Sequence, residues 1–374
     1  MSLKLGVARE TLPGERRVSL VPDLIKRYTG QGAQVLVQTG AGEGSHYPDG
    51  QYKEAELFEE AGGVYSQSDI VLAVQPPSDK ALNQMKPGSV LVGLLDPWRE
   101  SKRINTLLKK EITAFSLELL PRISRAQSMD ALSSQASAVG YVGALLGAHH
   151  CPKFFPMLTY AAGTVRPAKV LVIGAGVAGL QAIATAKRLG GQIEGYDVRP
   201  ETREQIESLG ARFVDTGVEA TGEGGYAREL TEQEKAQQAD KLNKAIIASD
   251  VVITTAAVPG KAAPRIIDAA TLEQMKPGAV VVDLAAESGG NVEGVQAGKD
   301  TRLGNVLVLG PTHIASRLAT HASEMYAKNL YNFVSPMIKD GELVIDWEDE
   351  VLSGTCLTHA GELRHSGVKQ ALGL

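Results

Sequence analysis

The run Gly174-Ala175-Gly176-Val177-Ala178-Gly179 constrains this chain more than any other feature, because of what stands on either side of it. Val170 to Ile173 is an unbroken apolar run, the pattern of a strand covered on both faces. Val177 to Leu189 comes next with apolar positions at helical spacing, and Gln192 to Tyr196 reads as the next strand, ending in Asp197. A bare G-x-G-x-x-G is a weak signal. A strand, that loop, a helix and a second strand ending in an acid 18 residues after Gly179 form the dinucleotide-binding fingerprint.

Each position has a physical reason. Gly174 allows the tight turn, Gly176 lets the backbone approach a pyrophosphate, and Gly179 lets the helix pack closely on the strand. The helix start presents unpaired N–H groups and a positive dipole end to the phosphates. Asp197 is placed to accept hydrogen bonds from both hydroxyls of an adenosine ribose, and its charge repels a 2′-phosphate, which favours NAD(H). Arg199 pulls the other way, since a nearby Arg can accept that phosphate. Asp197 weighs more because it occupies the strand end itself. The cofactor-binding positions expected here are Gly174, Ala175, Gly176, Val177, Ala178, Gly179, Asp197, Val198, Arg199 and, further on, Ala257.

At 374 residues the chain exceeds the usual size of one core, so two domains are expected. The N-terminal third alternates in the same way: strands over Leu3 to Ala8, Gln34 to Gln38, Asp69 to Val74 and Ser89 to Leu95, with a helix over Pro22 to Gln31. Further strands are expected at Ala168 to Ile173, Asp250 to Thr255, Ala279 to Asp283 and Asn305 to Leu309. An internal echo ties the halves together: residues 82–92, with Met85-Lys86-Pro87-Gly88, resemble residues 272–282, with Met275-Lys276-Pro277-Gly278. The bland explanation is that Lys-Pro-Gly before a strand is simply good turn chemistry. The expected fold is α/β: two Rossmann-like, doubly wound parallel-sheet domains joined by long helices, with the cofactor cleft between them. Residues 1–132 with 320–374 would form the first domain and 133–319 the NAD(H)-binding one. The Ala-, Ser- and Gly-rich stretch Ser133 to Gly147 reads as a long connecting helix, His313 to Pro336 as another, and the remaining C-terminal residues as a polar, loop-rich tail.

Composition closes off other classes. A net charge of −5 gives no support for nucleic-acid binding. The N-terminus lacks the apolar core of a signal peptide, and no stretch reaches the roughly 18 apolar residues of a membrane span. Cys151 and Cys356, the two cysteines, lack metal-ligand spacing and read as reduced thiols of a cytosolic protein. The histidines, among them His149, His150, His313 and His321, show no metal spacing and read as structural, so no metal is expected. There is no Ser-His-Asp pattern and no H-E-x-x-H motif.

Residues 118–135 are unusually polar for a segment between a domain and a linker helix. Arg125 and Asp130 form either a solvated surface pair or part of a set that orients a nicotinamide. Here the chain resembles the proton-translocating NAD(P) transhydrogenases, at Pro121 to Asp130, Ala161 to Val170, Gly179 to Gly190, Thr254 to Lys261 and Asp283 to Asn291. The resemblance runs nearly end to end and implies the NAD(H)-binding alpha component, in the form that ends before any membrane span. By that resemblance Arg122, Gln127, Asp130 and Ser133 line the nicotinamide end of the site, with Ile123 and Ser124 beside them. Gln127 would reach toward a partner carrying NADP(H). Tyr226, after Gly225 in a Gly-rich run, would sit on a mobile loop that closes over the cofactor; read alone, that run is a surface loop. The partners implied are a membrane-spanning subunit and an NADP(H)-binding beta subunit, with a homodimer of this chain. The location implied is cytoplasmic, on the inner face of a bacterial plasma membrane through those partners and without direct insertion. The task of such a chain is to place two nicotinamide rings for direct hydride transfer and to exclude water.

The main rival is a relative of alanine dehydrogenase, which shares Arg9-Glu10, Glu15-Arg16-Arg17-Val18 and Gly40 to Ser45. That chemistry needs a cation for the substrate carboxylate and a proton-transfer group in the first domain. The resemblance puts its lysine where this chain has Gln75 and its histidine where this chain has Asp96. A third reading is a non-catalytic NAD sensor.

Overall fold

The structure, a computed structural model, describes residues 2–99, 101–217, 231–257 and 260–373. The chain divides into two compact units, Met1–Gln135 with Ala315–Leu374, and Ala136–Ile314.

In the first unit β1 (Lys4–Val7), β2 (Gln34–Gln38), β3 (Ala55–Phe58), β4 (Ile70–Leu72), β5 (Val90–Gly93) and β6 (Thr113–Ser116) run parallel in the order β6-β5-β4-β1-β2-β3. The chain starts mid-sheet, winds outward one way and then the other, so the order reverses between β1 and β4. Val35, Leu36 and Val37 are all buried, as a strand covered on both faces requires. Helices α1 (Pro22–Thr29), α2 (Ala61–Gln67), α3 (Asp79–Gln84) and α4 (Ser101–Lys109) lie on crossovers. Pro22 starts α1, where its missing N–H is harmless, and Leu24, Ile25 and Tyr28 turn one face inward. Leu24 and Ile25 each contribute about 1.5–3 kcal/mol by burial.

Helix α5 (Ala131–His150) runs on into the second unit. A short hairpin of β7 (Leu158–Tyr160) and β8 (Gly163–Val165) precedes the second main sheet. That sheet is built on β9 (Lys169–Ile173), α6 (Val177–Arg188), β10 (Gln192–Tyr196), α7 (Thr202–Ser208), β11 (Arg212–Phe213), α8 (Glu232–Ala248), β12 (Val251–Thr254), α9 (Ala269–Gln274), β13 (Val280–Asp283), β14 (Asp300–Leu303) and β15 (Val306–Leu309). Its order is β11-β10-β9-β12-β13-β15-β14, parallel except for β14. Within this unit Gly140 of α5 packs so closely on α6 that a Cβ there would lie 2.0 Å from the Ala178 carbonyl oxygen.

The rest of the chain belongs to the first unit: α10 (Ala319–Val334), β16 (Ile338–Lys339), β17 (Glu342–Leu343), α11 (Glu350–Thr355), β18 (Cys356–His359), β19 (Glu362–Leu363) and α12 (Ser366–Leu372). This corrects the expectation of a loop-rich tail. Strand β18 pairs antiparallel with β6, and Cys356, Leu357 and Thr358 are buried there, so the tail extends the first sheet to eight strands.

The internal echo is structural and deeper than turn chemistry. Strands β5 and β13 hold the same place, two from the centre of their sheets. Each comes after a short helix capped by a side chain, Ser78 accepting from the Ala81 N–H and Asp268 from that of Thr271. A left-handed glycine comes next, Gly88 at φ +72° and Gly278 at φ +82°. The lysines of the echo then do the same work. Lys86 reaches the Asp69 carboxylate at 2.6 Å, while Lys276 reaches that of Asp250 at 2.9 Å. Each acid also accepts the first N–H of its central strand, from Lys4 or Lys169, at 2.9 Å. One acid–lysine clasp therefore ties the N-terminal strand edge of both sheets. Lys153 adds a second cation to Asp250 at 2.7 Å.

Candidate functional site

The opposite, C-terminal edge of the second sheet carries the glycine loop, where the order reverses between β9 and β12. Gly174 has φ +97°, and a Cβ on it would meet the Thr255 hydroxyl at 2.4 Å. On Gly179 a Cβ would lie 1.7 Å from the Gly174 carbonyl oxygen, so helix and strand touch through these two glycines. Gly176 differs: among the described residues nothing stands within 4 Å of the Cβ it lacks. It is also the N-cap of α6 and offers no capping side chain, which leaves the first-turn N–H groups for an anion. An open cradle at a helix N-terminus, closed underneath by two tight glycines, fits a dinucleotide pyrophosphate.

Asp197 stands beside this loop. Its Oδ2 accepts the Ala175 N–H at 2.7 Å, and its Oδ1 accepts the Arg199 N–H at 2.9 Å. The Arg199 guanidinium adds two more bonds, Nε to Oδ1 at 3.0 Å and Nη2 to Oδ2 at 3.1 Å. Burial would raise the carboxyl's pKa, but the bonds from Arg199 and Ala175 outweigh it and hold Asp197 below the usual carboxylate range. Val177 and Val198 leave apolar surface exposed beside the cradle, suited to an adenine face. Ala257 is exposed beyond the end of β12. Gly225 and Tyr226 lie outside the described residues.

Two residues noted only within a motif hold this edge together. Asp283 accepts the N–H groups of Ala285, Asn291 and Val292 and the Thr254 hydroxyl, while burial pushes its carboxyl up. The Asn291 amide donates to the Ala256 and Pro264 carbonyls, each at 2.8 Å, which pins the segment after β12.

The polar segment expected at a nicotinamide belongs to the first unit. Residues Ser124–Met129 form a 3₁₀ helix pinned by buried Ala126 and Met129, leaving Ser124 and Gln127 exposed, with Arg122 exposed just before it. Ile123 is half-buried against the core. Asp130 begins α5: it accepts the Ser133 N–H at 2.8 Å and the Ser133 hydroxyl at 2.5 Å. The Arg125–Asp130 surface pair is corrected. Arg125 forks instead onto Asp349, a partner 224 residues away, while Asp130 is committed to its helix start. Asn329 and Asn332 donate to the Ser128 carbonyl at 2.9 and 3.0 Å and fix the segment to α10.

Among the described residues the C-terminal edge of the first sheet has no glycine cradle. Residues 8–21 separate β1 from α1, where residues 174–176 suffice in the second unit. This longer loop carries buried charges that sequence reasoning did not single out as a cluster. The Glu15 carboxylate accepts Arg17 Nε at 2.8 Å and Nη2 at 2.5 Å, the Ser316 hydroxyl at 2.5 Å and the Gln75 amide at 2.7 Å. Burial works against its charge, yet Arg17 and the other donors lower Glu15 to about 2. The remaining fork of Arg17, Nη1, donates to the side-chain amide oxygen of Gln135 at 2.8 Å. Glu10 accepts the Val74 N–H at 2.6 Å, and burial pushes its carboxyl up to about 7. The one signal in the sequence was a charged pair, Arg9-Glu10, directly after an apolar strand.

This arrangement bears on the rival chemistry. The buried guanidinium is already neutralised by Glu15, Gln75 supplies an amide rather than a cation, and Asp96 faces Arg99 at 3.7 Å. An incoming carboxylate would meet Glu15 and Asp96, both acids.

The comparisons agree. Residues 6–139 match the family model "Alanine dehydrogenase/PNT, N-terminal domain", and residues 143–366 the corresponding C-terminal domain. The chain is 44% identical to the first of the alpha-subunit chains of NAD(P) transhydrogenase from Rhodospirillum rubrum, over 97% of this chain and 98% of that one. A solved transhydrogenase from Sinorhizobium meliloti superimposes with a TM-score of 0.85 at 39% identity, covering 97% of this chain and 99% of the other. Alanine dehydrogenase of Mycolicibacterium smegmatis is more distant, at 29% identity over 77% of this chain and 74% of that one. The chain belongs to the alanine dehydrogenase/PNT family, on the side of the NAD(P) transhydrogenase alpha subunits.

Proposed function

We propose that this chain is the NAD(H)-binding component of a proton-translocating transhydrogenase. The observation that carries the reading is the cradle at Gly174–Gly179, open above Gly176, with Asp197 beside it. Gly174 to Gly179 would hold the pyrophosphate, Asp197 and Val198 the adenosine, with Arg199 acting there through Asp197, and Ala257 with Gly225 and Tyr226 would complete the cover. In the first unit, Arg122, Ile123, Ser124, Gln127, Asp130 and Ser133 would serve the nicotinamide end. When bound, the cofactor would give a hydride from its nicotinamide ring in the reduced form and accept one there in the oxidised form. The chain's own residues bind, orient and exclude water; no side chain has to remove a substrate proton.

The second nicotinamide, NADP(H), would be carried by a beta subunit, and proton movement would belong to a membrane-spanning subunit. Among the described residues no helix is long and apolar enough to cross a membrane. Attachment at the inner face of the plasma membrane would then run through these partners, with this chain as a homodimer. The filled Arg17 fork and the residues Gln75 and Asp96 disfavour amino-acid oxidation.

Mixing the chain with an NADP(H)-binding component tests the reading. Steady hydride exchange between NADH and an NADP analogue supports it. NADH oxidation by pyruvate and ammonia, without any partner, would replace it with alanine dehydrogenase chemistry.

A further inference from the structure

Asp197 accepts four hydrogen bonds, which is about the full capacity of a carboxylate. Two come from backbone N–H groups, those of Ala175 and Arg199, and are fixed by the course of the loop. The other two come from the Arg199 guanidinium, whose side chain is 48% exposed while that of Asp197 is 8% exposed. An adenosine ribose with both hydroxyls free needs two acceptor positions on this carboxylate. Only the guanidinium can give them up without unfolding the loop.

We propose that Arg199 is a displaceable internal counter-ligand of Asp197 and thereby a specificity-determining residue. The proposal rests on the NAD(H) reading above. A ribose bearing two hydroxyls competes with the guanidinium for Asp197 and turns it outward. A ribose bearing a 2′-phosphate takes the guanidinium as its own counter-ion and leaves the carboxylate facing a like charge. One pair therefore taxes the first ligand mildly, through an exposed ion pair, and gives the second a partial foothold. Arg199 acts as a positioning residue on the acid, and the NAD(H) preference is narrower than Asp197 alone would make it.

The test is equilibrium binding of NADH, NADPH and an NADH analogue lacking the adenosine 2′-hydroxyl to the intact chain, as wild type, Arg199→Ala and Arg199→Lys. Arg199→Ala is expected to bind NADH about two- to fivefold tighter, since an exposed pair no longer competes. The gain should shrink for the 2′-deoxy analogue, which asks for only one acceptor. NADPH should weaken by about tenfold or more, having lost a charge-assisted partner. Arg199→Lys keeps the charge but loses the fork, so it should gain on NADH and hold NADPH better than Arg199→Ala does. Weaker NADH binding by Arg199→Ala would make Arg199 a direct ligand and overturn the proposal. An equal gain for all three ligands would overturn it too, by showing a general charge effect. If the wild type binds no NADH, the cofactor reading itself fails, and that outcome is separate from either.

Discussion

The two sheets are alike at one edge and unlike at the other. Their N-terminal strand edges repeat one device, Asp69 with Lys86 and Asp250 with Lys276, each acid also holding the start of the central strand. At the C-terminal edges the chemistry separates. After β9 comes a three-glycine cradle running straight into a helix; after β1 comes a long loop that buries Glu10, Glu15 and Arg17. Strand order alone therefore does not make a dinucleotide site. What makes it is a short glycine-rich loop, which brings a helix N-terminus to the strand end. The first unit keeps the scaffold and fills the corresponding edge with its own ion pairs.

That contrast is open to attack by mutation. The largest effect is expected from Gly179→Ala, because its Cβ would meet the Gly174 carbonyl and the backbone must shift. NADH affinity should fall by about 100-fold or more, in line with overpacking and loss of the cradle. A fluorescence titration that finds near-normal affinity would remove the cradle from the account. Asp197→Ala should rank second, weakening NADH about tenfold or more and narrowing the preference over NADPH. Competition between the two nucleotides reads this out; an unchanged preference would relieve Asp197 of its role.

Gln127→Asn probes the first unit's share. Gln127 is exposed on the 3₁₀ turn, so the change should spare NADH affinity while slowing hydride exchange with a full complement of partner. An unchanged rate would take Gln127 out of the mechanism. The repeated clasp gives a smaller, paired prediction. Asp250→Ala should lower stability by about 1–3 kcal/mol, since a buried acid holding two lysines and a backbone N–H is lost. Asp69→Ala, at a more exposed site, should cost about 1 kcal/mol or less. Calorimetric unfolding of both variants measures the ratio, and equal losses would mean that the two clasps bear equal weight.

Stability should also respond to pH. Glu10 is raised in the folded state to about 7 from 4.5, so folding favours its protonated form. Its contribution is fully present below about pH 4.5 and is lost as pH rises through about 7. Glu10→Gln should flatten stability over that window without touching NADH affinity. An unaltered pH profile would show that Glu10 titrates normally.

Much of the fold was legible because the central strands are buried on both faces. Gln34–Gln38 occurs where its apolar run predicts, Lys169–Ile173 and Val251–Thr254 lie inside the apolar stretches expected, and the loop from Gly174 announces the turn after β9. The tail was not legible. β18 is four residues long, and its identity comes from pairing with β6 far away in the chain, a contact that leaves no local period. The same holds for charges. Arg125 looked nearest to Asp130 in sequence but pairs with Asp349, and nothing local shows that Glu15 and Arg17 are buried. The echo at Lys86 and Lys276 was visible as sequence, whereas its function as a clasp needed Asp69 and Asp250 to be brought alongside. For the candidate site, the glycine loop could be read because backbone geometry selects residue type directly. The engagement of Asp197 by Arg199 could not, since an i to i+2 pair has no obligatory conformation.

On the proposed reading one edge of one sheet binds NAD(H) and its counterpart does not. Calorimetric titration of the intact chain with NADH, with NADPH as competitor, tests it most directly. The expected result is one NADH per chain and weaker binding of NADPH. Two equivalent sites per chain, or equal affinity for the two nucleotides, would contradict it.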